Sequence, residues 1–177
     1  MFYHIAWSLT GTQRNTDIIE QSRNIQYTLE AVEVANQLGC SLFVGAGSQS
    51  EYGLCPDDII SPNAAVNPIQ AYGIAKYCAG RLAIQRAEQL NIACVWVRVF
   101  SVFGLWEKPN TLIQTCIQNF RKDLVPKFTE GNQLWDYLYS EDAGEAFCKI
   151  GLCVREKSLL FGKREVETFK EIYRNNS

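Results

Sequence analysis

The 177-residue sequence has a single histidine, His4, and none of its seven cysteines (40, 55, 78, 94, 116, 148 and 153) forms a Cys-x-x-Cys pair, so the ligand spacings of a zinc site are missing. An odd, scattered set of thiols reads instead as reduced and mostly buried, in a cytoplasmic protein. A basic excess is lacking too. Seventeen Lys and Arg face nineteen Asp and Glu, a net charge of −2 that argues against nucleic acid or a membrane surface as partner. No apolar run approaches the length of a membrane span, and the N-terminus lacks a signal-peptide layout. Repeats, low-complexity tracts and flexible linkers are absent as well. What remains is 47% hydrophobic and 20% charged, ordinary for a globular chain. At this length about 70% of the unfolded surface can be buried, enough for one real core.

The segments alternate in type. "FYHIAW" (2–7), "CSLFVGA" (40–46) and "IACVWVRVF" (92–100) are apolar runs that read as buried strands. Between them, residues 17–38 carry Ile18, Ile25, Leu29, Val32 and Leu38 at near-helical spacing, with Gly39 as a natural stop, and a second helix is expected from about 70 to 90. This strand–helix rhythm predicts parallel βαβ units, hence a doubly wound α/β sheet. After Gly104 the expectation is a helix near 111–121, an irregular stretch, and a helix near 141–151.

"FVGAGSQSEYG" (43–53) starts like a phosphate-binding glycine loop, but Ser50 stands where the third glycine belongs and no helix follows directly. In such sheets ligands sit beyond the carboxyl ends of the strands, so this stretch belongs to chemistry rather than to phosphate binding. Ser48 would offer a hydroxyl there, and Gly45 and Gly47 would clear space for a flat ligand. Twenty-four residues on, "YGIAK" puts Tyr72 and Lys76 four apart, on one face of a helix. A free phenol, with a pKa of about 10, is a poor base at neutral pH, and lowering it to about 7 takes roughly 4 kcal/mol of preferential phenolate stabilisation. A nearby lysine cation is the right kind of perturbation. Taken singly, Ser48 reads as a turn serine and the Tyr–Lys pair as a solvated helix face; together they read as a site.

At these residues the sequence resembles the extended short-chain dehydrogenase/reductase family, the NAD-dependent nucleotide-sugar epimerases, dehydratases and reductases. Ser48, four residues before Tyr52-Gly53, resembles the family's strand-end serine or threonine, and Tyr72 with Lys76 its YxxxK pair. "HIA" (4–6) resembles the loop that touches the cofactor. "RVFSVFG" (98–104) is similar to R-x-x-N-V-Y-G, with Ser101 for asparagine, and "GNQLWDYLYSEDAGEAF" (131–147) to G-x-x-x-R-D-F-x-Y-V-x-D-x-A-x-A. The resemblance covers nearly residues 1–150. It implies a partial Rossmann-like domain over 1–104 and part of a substrate-binding segment over 105–177. It implies Ser48, Tyr72 and Lys76 as catalytic residues, with Tyr72 as base. Ile5, Ala6, Ala46, Gly47, Tyr72, Lys76, Val99 and Phe100 would line the cofactor, NAD or NADP with NAD favoured, and Ser48, Gln49, Ser101 and Trp135 would line a nucleotide sugar. No metal is implied. Helices 17–38 and 70–90 would form a homodimer face.

Two departures narrow the expectation. Trp135 replaces an arginine that pairs with nucleotide phosphates in many members, and Gln49 and Ser50 replace the Asp-Glu pair of the 4,6-dehydratases, favouring epimerase or reductase chemistry. The family's glycine-rich fingerprint, about sixty residues before the "HIA" strand, is absent, and the C-terminal "GLCVREKSLLFGKREVETFKEIYRNNS" departs from the pattern. The expectation is therefore an N-terminally truncated member that binds NAD weakly, with truncation or a frame slip at the C-terminal end as a hypothesis. A non-catalytic remnant or dimerising module is the alternative. Elsewhere His4 reads as a satisfied strand-end residue, Trp7, Trp96 and Trp106 as core or pocket wall, Glu51 as a solvated loop carboxylate, Asp136 as a turn residue, and Asp142 as a helix N-cap.

Overall fold

A computed structural model describes residues 1–54, 60, 64–127 and 135–156. Cys55, the first four residues of the 131–147 motif and the C-terminal 21 residues lie outside the described residues. Three parallel strands form the central sheet: β1 (Phe2–His4), β2 (Leu42–Ser48) and β3 (Ala93–Val99), in the order β1-β2-β3. Val44 pairs with Tyr3 on one side and Val95 on the other, and the last pair is Ser48 with Val99. The continuously apolar run of β2 is what a central strand needs, and all seven of its residues are buried. β1 stops at His4 rather than running on to Trp7, because the next residues turn away to meet a helix.

That helix, α1 (Ile18–Gln37), is capped by the Asp17 carboxylate, which accepts from the Glu20 amide at 2.9 Å, and ends at Gly39 with φ +66°. Together with α2 (Ala71–Gln89) it covers one sheet face, where Val32, Ala35, Ala83 and Ala87 pack on Phe43. On the other face Leu42, Val44 and Val97 pack on Ala143, Ala146 and Ile150 of α4 (Ser140–Glu156). Neighbouring β2 residues thus face opposite helical layers, the doubly wound α/β arrangement expected of the sequence, with α1 and α2 on one side of the sheet and α4 on the other.

The segment after β3 holds more than the expected helices. β4 (Ser101–Phe103) follows at once and pairs in parallel with β5 (Tyr137–Tyr139) as a separate two-stranded sheet; α3 (Leu112–Phe120) lies between them in sequence. Strands of three residues carry too little alternation to be read from sequence. α4 begins at Ser140, so Asp142 is a first-turn acid favourable to the helix dipole rather than the cap. Of the described thiols, Cys78 and Cys148 are exposed, against the expectation of mostly buried cysteines, because they fall on the outer faces of α2 and α4.

Candidate active site at the carboxyl end of the central strand

Ser48 is the last residue of β2 and caps the 3-10 turn Gln49–Glu51. Its Oγ accepts from the Ser50 amide at 3.2 Å. The Glu51 carboxylate reaches back to accept from the Ser48 amide at 2.8 Å, the reciprocal arrangement of a capping box. Glu51 is fully buried, so the expectation of a solvated loop carboxylate is corrected. Its Oε1 also accepts from Trp96 Nε1 at 3.1 Å, and its Oε2 from Arg98 Nε at 2.8 Å, both on β3. Arg98 is itself buried, with its guanidinium 4.5 Å from the centroid of the Tyr52 ring. A buried carboxylate and a buried guanidinium are tolerable only as such a pair.

Trp96 explains the glycines. A Cβ on Gly47 would come within 2.5 Å of both Glu51 Oε1 and Trp96 Nε1, one on Gly80 within 2.5 Å of the same nitrogen, and one on Gly45 into the six-membered ring of the indole. The space these glycines leave is filled from within, by Trp96 and Glu51.

α2 brings the second half of the site. Gly73 presses against the carbonyl of Ser50, closer than any Cβ would permit, and this approach sets Tyr72 beside Ser48. The Tyr72 phenol lies close enough to the Ser48 hydroxyl for it to favour the ionised phenol. Burial pushes its pKa above the ordinary value for a tyrosine; the Ser48 hydroxyl and the Arg14 guanidinium, 5.2 Å from the ring centroid, pull it down, and Glu51 pushes it up.

One turn on, Lys76 is almost wholly buried and donates to the Ala46 carbonyl at 2.6 Å. Burial brings its pKa down to about 7, with the Glu51 charge opposing. The Trp7 ring centroid lies 3.8 Å from Nζ, and Trp7 also meets Tyr72 edge-on. The loop that carries Trp7 is fixed by α1. Trp7 Nε1 donates to Gln21 Oε1 at 2.9 Å, Gln21 Nε2 to the Leu9 carbonyl at 3.1 Å, and the Ser8 amide to Asn24 Oδ1 at 2.8 Å. His4 shares a 3.2 Å hydrogen bond with Thr28 Oγ1, as a satisfied strand-end residue should, and burial, then the charge of Lys76, lowers its pKa.

Ser48, Tyr72 and Lys76 therefore meet at the carboxyl end of β2. Ala46 supplies the carbonyl for Lys76, and Gly47 is buried beside Trp96 and Glu51. Ile5 and Ala6 are exposed on the loop before Trp7; Val99 and Phe100 are half-buried at the end of β3, and Gln49 follows Ser48 in its turn. Ser101 opens β4, opposite Tyr137. Trp135 is 58% exposed with its ring 6.4 Å from that of Tyr137, while Trp106 is 97% exposed and so neither core nor pocket wall. Glu51, Arg98 and Trp7 are additions to the expected set. For Arg98 the signal was in the sequence: an arginine inside the apolar run of β3 calls for a buried carboxylate, without saying which one.

The model of the NAD dependent epimerase/dehydratase family matches residues 1–156. The chain belongs to that family. It is 25% identical over 143 residues to an uncharacterized UDP-glucose epimerase, YtcB, of Bacillus subtilis strain 168, covering 80% of this chain and 42% of that one. Among solved structures it resembles MoeE5 in complex with UDP-glucuronic acid and NAD, with TM-score 0.73 and 27% identity over 94% of this chain and 54% of that one. The UDP-N-acetylglucosamine 4-epimerase of Methanobrevibacter ruminantium M1 shares the fold, with TM-score 0.75 and 18% identity over 84% and 50% of the two chains. The chain thus spans about half the length of the relatives it matches. Among the described residues no helix is long and apolar enough to cross a membrane, and no cluster of His, Cys, Asp and Glu is placed to hold a metal ion.

Proposed function

We propose that the chain is the part of a nucleotide-sugar epimerase or reductase that carries the catalytic residues, with NAD favoured over NADP. Residues 1–104 would be half of the nucleotide-binding domain and 105–177 part of the substrate-binding segment. The observation that carries this reading is the convergence of Ser48, Tyr72 and Lys76, from two elements, at one strand end. The donor set suits the nicotinamide ribose. Lys76 is a buried ammonium with one carbonyl acceptor and further N–H donors, and the Tyr72 phenol stands beside it. What NAD supplies in such a site is acceptance of hydride from a sugar carbon. Tyr72 Oη would take the proton of the sugar hydroxyl, and Ser48 Oγ would orient that hydroxyl and relay its proton. Lys76 would hold the ribose and, when charged, stabilise the phenolate. Gln49 and Ser50, uncharged, supply no acid pair for dehydration.

An apolar groove between α1 and α2, lined by Ile18, Ile25, Ile69 and Ile74, supports a homodimer through these helices. The free thiols of the described cysteines fit a reducing cytoplasm. The reading is tested by adding NAD, NADP and UDP-glucose to isotope-labelled protein and following tyrosine and lysine side-chain resonances. NAD should shift those of Tyr72 and Lys76. If neither moves with either dinucleotide at millimolar concentration, the chain is a dimerising module without a working cofactor site.

A further inference from the structure

Glu51 is the best-connected polar side chain around the site, and nothing in the proposed chemistry uses it. Its carboxylate joins three pieces of backbone: the Ser48 amide at the end of β2, the turn that carries Glu51 itself, and β3 through Trp96 and Arg98. It is wholly buried, so it neither reaches solvent nor presents an oxygen to a ligand. Room for it depends on Gly47, whose Cβ would stand 2.5 Å from Oε1. We propose that Glu51 is a positioning residue, holding the Ser48 backbone on the Arg98 guanidinium and setting the negative field in which Tyr72 and Lys76 work. This rests on the reading that those three residues perform the chemistry.

The geometry gives the mechanism. With its amide fixed on Glu51, Ser48 keeps an extended backbone (φ −150°, ψ 149°) while its Oγ accepts from Ser50 and stays near the Tyr72 phenol. The Ser50 carbonyl is in turn the surface on which Gly73 seats α2. Displacement of the carboxylate therefore shifts the hydroxyl and the helix together. Charge follows the same path. The charged or titratable groups facing the cluster are Arg98 and Tyr52 at the Glu51 pair, Lys76 and Tyr72 from α2, Arg14 over the Tyr72 ring, and His4 from β1. Glu51 is the carboxylate that acts on both Tyr72 and Lys76, in the direction that keeps each protonated.

The test needs neither cofactor nor sugar, so its failure is separable from failure of the epimerase reading. Lysine labelled with carbon-13 at Cε reports the titration of Lys76, assigned by its loss in Lys76→Met. In Glu51→Gln the shape is kept and the charge removed. The midpoint of Lys76 should fall below that of the unsubstituted protein by about half a pH unit or more, roughly a threefold loss of proton affinity. Should a lone buried Arg98 prevent folding of that variant, Glu51→Leu with Arg98→Leu removes both charges and leaves an apolar pair, which buried sites commonly tolerate. In the double variant the cation leaves with the carboxylate and the field largely cancels, so the readout there is the Ser48 amide, which should exchange with solvent about tenfold faster. A lower melting temperature with the Lys76 midpoint unmoved in Glu51→Gln, or with Ser48 amide exchange unchanged in the double variant, would make Glu51 merely structural and overturn the proposal.

Discussion

The ammonium of Lys76 lies 3.8 Å from the centroid of the Trp7 ring and donates to the Ala46 carbonyl 2.6 Å away. The indole thus shields a cation that would otherwise meet water, and itself hangs on Gln21 of α1. Two opposing effects act at this contact. The ring attracts the charge, worth about 0.5–2 kcal/mol, and it excludes solvent, which disfavours the charge. Burial is the larger, since it brings the Lys76 pKa down from 10.5 to about 7.

Trp7→Ala should accordingly raise the Lys76 midpoint from about 7 by one unit or more, as water reaches Nζ. Side-chain carbon-13 titration reads this directly. A midpoint that stays put or falls would show that the ring's attraction outweighs its shielding.

The same depressed lysine makes stability depend on pH. Between about 7 and 10.5 the unfolded chain keeps the Lys76 proton while the folded one has released it. The unfolded state then binds more protons, so stability rises with pH across that window. Above pH 9 the gain is opposed by Cys94, whose thiol burial pushes up to about 12, so that only the unfolded thiol ionises there. The melting temperature should therefore climb from pH 7 to 9, by at most about 2–3 kcal/mol of stability, and Lys76→Met should abolish the climb. An equal rise in that variant would place the effect elsewhere.

Tyr72→Phe removes one hydroxyl beside Ser48, a loss of about 1 kcal/mol or less in stability. In the protein supplied with NAD and a UDP-sugar, turnover should fall by about 10²–10⁴-fold, the usual contribution of a proton-transferring side chain. Turnover within about threefold of the unsubstituted protein, measured by chromatography of the sugar nucleotides, would remove Tyr72 as base.

Gly80→Ala directs a methyl at Trp96 Nε1, and Gly47→Ala meets both that nitrogen and Glu51 Oε1. Each should lose about 1–3 kcal/mol by overpacking, seen as a drop in the denaturation midpoint. Trp96→Phe in the Gly80→Ala background should recover part of the loss, since the smaller ring vacates the contact. Absence of recovery would mean that α2 has another reason to lie so close.

What the sequence revealed of this site follows from the range of its signals. The Tyr72–Lys76 spacing is local to one helix, and the apolar runs of β2 and β3 mark their own burial, so both were legible. Glu51 was not, because its loop is polar in sequence and its burial depends on Trp96 and Arg98, 45 and 47 residues away. Gly45 and Gly47 suggested room for a ligand for the same reason: only the parallel register, which sets Gly45 against Trp96, reveals what fills it. The three-residue strands β4 and β5 owe their existence to each other rather than to any pattern of their own.

Trp135 gives the last prediction. It is 58% exposed and touches Tyr137, which in turn packs edge-on against Phe103 across the small sheet, so its ring sits on this aromatic face without filling a core. By resemblance it stands where many relatives carry an arginine for the nucleotide phosphates, a role an indole cannot fill with an ion pair. Trp135→Arg should then strengthen binding of UDP by about threefold to tenfold, with the gain shrinking as salt rises, because a partly exposed ion pair is screened. Its melting temperature should move by no more than a few degrees, as expected for an exposed side chain. Calorimetric titration with UDP at two salt concentrations, beside a thermal melt, decides the matter. Unchanged UDP affinity with a melting temperature lowered by about ten degrees would mean that Trp135 supports the small sheet and faces no nucleotide.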